Sequence, residues 1–227
     1  MNSARPGIAT HATHVFERLR ADILDGRLPP GSRLPIRALM ERYAIGQTPL
    51  REALNRLTSD GLVTCEDQRG FTIPGISAAE LEELTRTRCW LEERALRESM
   101  ARATPAWEEA LLVAGHRLAR AKRVEAGALS AEWEARHREF HQLLVGGCGS
   151  RWLIGFCEQL TDRHQRYRHL AARAPAAARD VAAEHQAILD AVLARDADAA
   201  TMLLSAHYAR TAEVLLRDAT LFQARAA

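Results

Sequence analysis

The sequence predicts a mainly α-helical protein with a small N-terminal region and a larger C-terminal bundle. Apolar residues recur at helical spacing through most of the 227 residues. A short stretch near residue 65 alternates with period two, as a strand hairpin does, and we see no strand pattern after residue 75. The predicted division is a flexible arm over residues 1–13, a compact region over 14–74 and an all-helical bundle of about six helices over 75–227.

The composition narrows the class of protein. A hydrophobic content of 47% is sufficient for a buried core. No apolar run has membrane-spanning length and the start lacks a secretory signal pattern, so we expect a cytoplasmic protein without a membrane partner. The four cysteines form no CxxC pair and are expected to be core thiols. The net charge of +2 does not by itself indicate a polyanionic partner.

Two helices are predicted at the start of the compact region. The first ends at Gly26, before the turn "PPG" at residues 29–31. Its apolar face consists of Val15, Phe16, Leu19 and Ile23. The second helix is short and directs Ile36, Leu39, Met40 and Tyr43 inward. Both are therefore expected to pack on one core.

The third helix separates an apolar face from a polar one. Thr48 and Pro49 form a suitable N-cap and first helical position. The inward face consists of Leu50, Ala53, Leu54 and Leu57. Arg51 and Asn55 then lie together on the solvent side, where a DNA groove has room. After this helix, "LVTCE", "DQRG" and "FTIP" predict a small hairpin.

This order of helix, helix, tight turn, helix and hairpin is that of a winged helix-turn-helix. In such a domain the third helix enters the major groove, so Gln47 and Thr48 at its start lie near bases and phosphates. Arg69 and Gly70 are predicted to form the tip of the wing. The alternative is that "TPLREAL" is a capped amphipathic helix of a purely structural bundle, but the order of the whole region favours DNA binding.

The segment "PPGSRLPIRALMERYAIGQTPLREALNRLTSDGLV", followed by "QRGF", resembles the N-terminal domain of the GntR family of bacterial transcriptional regulators. The resemblance implies that Arg37, Gln47, Thr48, Arg51 and Gly70 contact an operator. Many family members carry arginine where this chain has Gln47, and glutamine suits adenine better than guanine. The operator is therefore expected to differ from the usual one. A homodimer would read a near-palindromic site in double-stranded DNA.

Four histidines stand out in the C-terminal region. His137 and His141 lie one helical turn apart on a stripe with Trp133 and Phe140, and His185 and His207 lie on apolar faces of two later helices. For any single one, a core histidine bonded to a neighbour is the simpler explanation. As a set, neutral imidazoles from three helices suit a divalent transition metal.

The segment 77–220 resembles the all-helical FCD effector-binding domain of the FadR-type subgroup of these regulators. Some members hold a metal with one acidic residue and three histidines. The resemblance implies the ligands His137, His141, His185 and His207, with His137 where the subgroup usually has aspartate or asparagine. This set is entirely imidazole and carries no ligand charge, so the set does not determine the identity of the metal. Zinc is the first choice and nickel the second. "TRTRCWLEERALRES" and "FCEQLTDRHQRYRHL" are closest to a branch that includes regulators of dicarboxylate and amino-acid catabolism.

Arg88 places a permanent charge on a stripe that should be buried. It either forms a salt bridge with Glu92 or receives the carboxylate of an effector. The family's matching arginine lies in the ligand cavity, which favours the effector. Arg166, Tyr167 and Arg168 either add polar contacts to this site or lie on a solvated face, as arginine-rich helix faces usually do. His116, His164 and His169 are expected at the surface.

These observations predict a transcriptional regulator, by default a repressor, whose operator affinity depends on a small carboxylate bound at a metal. One alternative is a metal-responsive regulator in which the ion itself is the signal. A remote alternative is a hydrolase that activates metal-bound water. We do not expect an enzyme, because the sequence shows no general-base motif near the histidines and no GxSxG, P-loop or dinucleotide fingerprint.

Overall fold

The computed structural model describes residues 11–66, 70–125, 128–171, 179–218 and Phe222. Those residues form nine helices and two short hairpins, so the fold is mainly α, as predicted. Contacts divide the chain into two compact units, one running to Ile76 and the other beginning at Ser77. Within the described ranges, no helix is both long and apolar enough to cross a membrane.

The first unit contains three helices and a hairpin. They are α1 (His11–Leu24), α2 (Ile36–Tyr43), α3 (Gln47–Ser59), β1 (Thr64–Glu66) and β2 (Gly70–Thr72). The two strands are antiparallel, with Cys65 opposite Phe71. Arg33 forms an isolated bridge to Thr72 and so extends the hairpin toward the segment before α2. This order confirms the winged helix-turn-helix.

The core of this unit is built on α1 and α3. All four predicted inward residues of α3 are fully buried: Leu50, Ala53, Leu54 and Leu57. Each buried leucine contributes about 1.5–3 kcal/mol relative to an exposed one. The Tyr43 hydroxyl donates to Asp22 at 2.6 Å and so ties α2 to α1. Although burial acts against it, this bond and those from arginines lower the pKa of Asp22.

Three local predictions for this unit were wrong. Helix α1 already begins at His11, inside the predicted arm, whose residues 1–10 lie outside the described ranges. The N-cap of α3 is Gly46 rather than Thr48, because left-handed Ala44, with φ of 52°, ends α2 and shortens the turn. Cys65 is exposed rather than buried, since β1 lies entirely at the surface.

The second unit contains six helices, as predicted. They are α4 (Ala78–Ala101), α5 (Pro105–Arg120), α6 (Ala131–Gly146), α7 (Arg151–Ala171), α8 (Val181–Leu193) and α9 (Ala197–Leu216). Five of them begin at a side-chain cap that accepts a backbone N–H bond of the first turn. The capping residues are Ser77, Thr104, Ser130, Asp180 and Asp196.

A small hairpin interrupts the helices of this unit. Strands β3 (Val124–Glu125) and β4 (Ala128–Leu129) pair between α5 and α6. The prediction that no strand follows residue 75 was therefore wrong. Two residues in each strand are too few to establish a period of two in the sequence.

The packing of the second unit brings the histidine-bearing helices to its centre. Helix α4 packs against α6, α7 and α9, while α8 packs against α5 and α9. A single apolar cluster runs through these helices and includes Phe140 on α6, Ile188 on α8 and Leu204 on α9. Polar side chains that lie on the same inward faces must therefore find partners inside the bundle.

Candidate metal centre and DNA-binding surface

Four buried histidines meet at the centre of the second unit. Helix α6 supplies His137 and His141, α8 supplies His185, and α9 supplies His207. Each offers one ring nitrogen, and these four atoms all lie within 4.8 Å of one another. The structure thus brings together the four side chains that the sequence selected as a set.

The spacing of the nitrogens suits a transition metal. The Nε2 atoms of His141 and His185 are 3.3 Å apart. Since zinc lies about 2.0 Å from each imidazole ligand, two ligands of a tetrahedral zinc site are separated by about 3.3 Å. The rings of His141 and His207 are stacked with centroids 5.3 Å apart, so α9 contributes its histidine at the same place.

The hydrogen bond to Tyr208 determines the tautomer of His141. The single hydroxyl proton of Tyr208 is donated to Glu92. The same oxygen lies 2.8 Å from Nδ1 of His141 and therefore accepts from it. The proton of neutral His141 is consequently on Nδ1, which leaves the lone pair of Nε2 directed toward the other histidines.

His207 is oriented by a carboxylate. Its Nδ1 donates to Glu184 at 2.8 Å, and Arg179 donates to the same carboxylate from Nε at 2.8 Å. Although burial opposes it, these bonds hold the pKa of Glu184 far below its usual range. A carboxylate behind an imidazole is the usual support of a metal-binding histidine, because it orients the ring and increases its basicity.

Burial keeps all four imidazoles neutral at pH 7. Desolvation lowers the pKa of His137, His141 and His185 well below the usual value. It also lowers the pKa of His207 to about 4, more than the bond to Glu184 compensates. Neutral imidazoles are the form that coordinates a metal.

His137 retains an unused nitrogen. Its ring stacks on Trp133 with centroids 4.6 Å apart, and its buried Nδ1 has no hydrogen-bond partner among the described residues. Leaving a buried polar atom unsatisfied costs about 1–3 kcal/mol. Coordination to an ion is one way to satisfy it, so the donor set fits a metal.

Arg88 forms the salt bridge that the sequence left as one alternative. It is only 1% exposed, and its Nε and Nη2 each lie 2.8 Å from Oε1 of Glu92. Its guanidinium carbon lies 4.0 Å from the ring centre of Tyr208. Nη1 has no hydrogen-bond partner within the described part of the chain. Through Glu92 and Tyr208, Arg88 is connected to His141.

The predicted solvated surface of α7 was wrong. His164, Arg166 and Tyr167 are buried, because this part of α7 packs against α4 and the interior of the unit. The Tyr167 hydroxyl has a partner there, because it donates to Glu80 at 2.6 Å, whereas Nε2 of His164 has no hydrogen-bond partner among the described residues.

The other three polar side chains that were expected at the surface of this unit differ in their exposure. Arg168 is mostly buried and donates to Glu134 at 2.9 Å. His116 is exposed as expected, and His169 is half-buried.

Sequence reasoning missed three residues that support the histidines, Arg179, Glu184 and Tyr208, and named a fourth, Glu92, only as a partner of Arg88. Two of them are next to predicted ligands in the chain, since Glu184 precedes His185 and Tyr208 follows His207. Each nevertheless bonds a histidine of a different helix, so adjacency alone could not identify its partner.

In the first unit, the predicted DNA-contacting side chains are solvent-exposed. Gln47 and Thr48 lie in the first turn of α3, and Arg51 and Asn55 follow on its outer face. Arg37 on α2 is 95% exposed and pairs weakly with Glu41 at 3.5 Å. The residues are therefore free to contact a groove.

The predicted wing tip is described only in part. Gly70 opens β2 with φ of +79°, a conformation that residues with a side chain rarely adopt. Arg69 lies outside the described residues, so its role stays a prediction.

A winged helix with an exposed third helix, joined in the chain to a helical unit around a buried polar cluster, is the architecture of a DNA-binding regulator with a second, helical domain. Residues 11–73 match the family model "Bacterial regulatory proteins, gntR family", and residues 83–210 match the FCD domain. The chain belongs to the GntR family of bacterial regulatory proteins and is a DNA-binding transcriptional regulator.

Individual relatives agree with this assignment. The chain is 40% identical to the HTH-type transcriptional regulator BphR of Paraburkholderia xenovorans (strain LB400), over 85% of this chain and 80% of that protein. It is 34% identical to the HTH-type transcriptional repressor GlaR of Escherichia coli (strain K12), over 85% and 90% of the two chains. The solved structure of E. coli McbR/YncC superposes with a TM-score of 0.79 at 25% identity, covering 92% and 99%. These relatives are regulators rather than enzymes, which removes the hydrolase alternative.

Proposed function

We propose that this regulator binds a near-palindromic operator as a homodimer, and that a small carboxylate at a metal in the histidine cluster sets its operator affinity. The observation that carries the proposal is the convergence of four buried, neutral imidazoles from three helices. The default outcome is repression relieved by the effector, because the relative GlaR is named a repressor.

The metal would be held by His137, His141, His185 and His207, with zinc the first choice and nickel the second. Four neutral ligands leave the full double charge on the ion, so the ion would supply a strong attraction for an anionic ligand. Tyr208 and Glu184 hold two of the rings with Nε2 available. The arrangement is suited to binding an anionic ligand rather than to hydrolysing a substrate.

Arg88 remains the proposed effector residue of the cluster. Glu92 occupies its Nε and Nη2, whereas Nη1 is buried without a hydrogen-bond partner among the described residues. A carboxylate oxygen bound at the cluster would satisfy this N–H group with a charge-assisted hydrogen bond.

Regulation requires that the effector bind the DNA-competent and DNA-incompetent states with different affinity. A two-fold symmetric operator would match the symmetry of a homodimer. Each winged unit would then place α3, with Gln47, Thr48 and Arg51, in the major groove of one half-site.

A second candidate function is favoured by the ligand count. Four imidazoles already complete the tetrahedral set that zinc prefers in closed sites. If no position is left for a carboxylate, the ion itself is the signal.

The test is an operator titration with fluorescent DNA that carries the region upstream of the protein's own gene. Operator affinity is measured on chelated protein, on zinc-loaded protein, and on zinc-loaded protein with each of a panel of small carboxylates. We expect the affinity to change only with zinc and one acid together. A change of equal size with zinc alone supports the second candidate, and constant affinity under all conditions contradicts both.

A further inference from the structure

The segment before α2 continues the sheet of the wing hairpin. The backbone N–H of Leu34 donates to the carbonyl of Phe71 at 2.8 Å, and Arg33 lies opposite Thr72 of β2 as an antiparallel bridge. Helix α2 begins three residues after Arg33. Arg33 therefore lies where the wing sheet leads into the first helix of the helix-turn-helix.

The alternation of side chains directs Arg33 to the outer face of this sheet. Successive residues of a strand point to opposite faces, and Leu34 is buried whereas Arg33 is exposed. The cross-strand neighbour Thr72 shares the outer face with Arg33, and so does Gly70, two residues before Thr72 in β2. Arg33 is thus on the same face of the sheet as Gly70, the predicted DNA contact of the wing. In the chain it closely precedes Arg37, the predicted contact of α2.

The guanidinium of Arg33 also carries an uncompensated charge. It has no ion pair, hydrogen bond or ring contact with any described residue, and among the exposed arginines of the first unit only Arg51 on α3 shares this property. Five others each face an acidic or aromatic side chain: Arg18, Arg27, Arg37, Arg42 and Arg56. An arginine without a partner in its own chain keeps its full charge and its N–H donors for a ligand.

The surroundings of Arg33 suit a phosphate. Among the paired strand residues of this sheet, the acidic Glu66 lies opposite Gly70 in β1, two strand spacings or about 10 Å from the strand of Arg33. The first helix of a helix-turn-helix crosses the DNA backbone, and Arg33 directly precedes that helix. A guanidinium binds a phosphate through two parallel, charge-assisted hydrogen bonds.

We propose that Arg33 is a phosphate-binding residue of the winged unit, and that it contacts the DNA backbone between the groove that receives α3 and the wing. Phosphate contacts fix the register of a protein on the duplex but carry no sequence information. Arg33 therefore increases the affinity for the operator and for unrelated DNA by the same factor, in contrast to a base-contacting residue. The inference requires only DNA binding by the winged unit, so its failure leaves the proposed control by metal and effector standing.

The experiment is a salt titration of DNA binding by the full-length protein. Fluorescence anisotropy measures the association constant K for DNA from the region upstream of the protein's own gene and for a scrambled duplex of the same length. The salt concentration runs from about 50 to 200 mM, and one phosphate contact contributes about 0.9 to the slope of log K against log salt. We expect Arg33→Gln to reduce this slope by about one, and to weaken both complexes about eightfold at about 0.1 M salt.

Two further variants make the result specific. Arg33→Lys keeps the charge and should retain most of the slope. Arg120→Gln is the matched control, because it removes an exposed arginine of α5 in the second unit, and it should bind both duplexes as the wild type does. Circular dichroism checks the fold of each variant.

Three outcomes overturn the inference. One is an unchanged slope and affinity in Arg33→Gln. Another is a loss confined to the upstream DNA, because it marks a base contact rather than a phosphate contact. The third is an equal loss in Arg33→Lys and Arg33→Gln, which shows that the charge of this side chain is not what the DNA binds.

Discussion

At the scale of single residues, two histidines of the cluster are each oriented by a side chain from another helix. Tyr208 on α9 accepts from His141 on α6, and Glu184 on α8 accepts from His207 on α9. Because both bonds occupy Nδ1, the two Nε2 atoms are left as acceptors. The protein therefore already holds these rings in the tautomer that a metal requires.

Replacing a histidine of the cluster should remove the metal. We expect His141→Ala to weaken zinc binding by more than about 100-fold, since even supporting residues contribute 10- to 100-fold. Elemental analysis after dialysis measures the bound zinc. His116→Ala is the matched control, because His116 is exposed on α5. Full zinc occupancy in His141→Ala would exclude His141 from the site.

Removing the charge of Glu184 should also lower the zinc affinity, by about 10- to 100-fold. In Glu184→Gln the ring of His207 loses the carboxylate that orients it and increases its basicity. Competition with a chromophoric chelator measures the zinc affinity. Glu213→Gln, at an exposed position of α9, is the control. Equal affinities of the two variants would contradict the supporting role of Glu184.

The stability of the metal-free protein should fall as the pH falls. Burial lowers the pKa of the four histidines in the folded state, to about 4 for His207, whereas an unfolded chain has ordinary histidines. Between pH 6.5 and about 4 the unfolded state therefore binds more protons, so acid favours unfolding.

One such group contributes a slope of about 1.4 kcal/mol per pH unit. We expect the free energy of unfolding of chelated protein to decrease by at least this amount from pH 6 to pH 5. Urea titrations at the two pH values measure it. A constant free energy of unfolding would show that the imidazoles are not buried in neutral form.

At the scale of helices and strands, the sequence predicts elements well where one face is apolar and the other polar. Helix α3 follows this rule, with Leu50 and Leu54 buried and Arg51 exposed. Helix α7 does not, since Arg166 and His164 are buried. Arginines and histidines in the sequence indicate a solvated face, and only the packing of neighbouring helices shows that they are enclosed. Short features such as β3 and β4 have too few residues for a periodic signal.

Helix α3 provides a test of DNA recognition. Each good base contact contributes about 1–3 kcal/mol, so Arg51→Ala should weaken operator binding by at least about tenfold. Because Arg51 is exposed, the fold and the zinc content should not change. Gel-shift titration measures the affinity and circular dichroism the fold. Arg94→Ala, at a site that is 70% exposed on α4, should bind as the wild type does; an unchanged affinity in Arg51→Ala would refute the assignment.

At the scale of the whole molecule, the cluster is a property of tertiary structure. The spacing of His137 and His141 already predicts two groups on one face of α6. The apolar helix faces that carry His185 and His207 already favour a shared site, and the resemblance to the FCD domain strengthens that expectation. Nothing in the local pattern shows, however, that the two rings reach the same point.

The central claim is that the state of the histidine cluster sets the operator affinity of the winged units. The most direct measurement is the operator dissociation constant of wild type and of His185→Gln, by fluorescence anisotropy, with and without zinc plus the most effective carboxylate. Couplings of this kind are typically about 5- to 150-fold. We predict such a change in the wild type and none in His185→Gln, which should still bind DNA. An equal response of the two proteins would contradict the account.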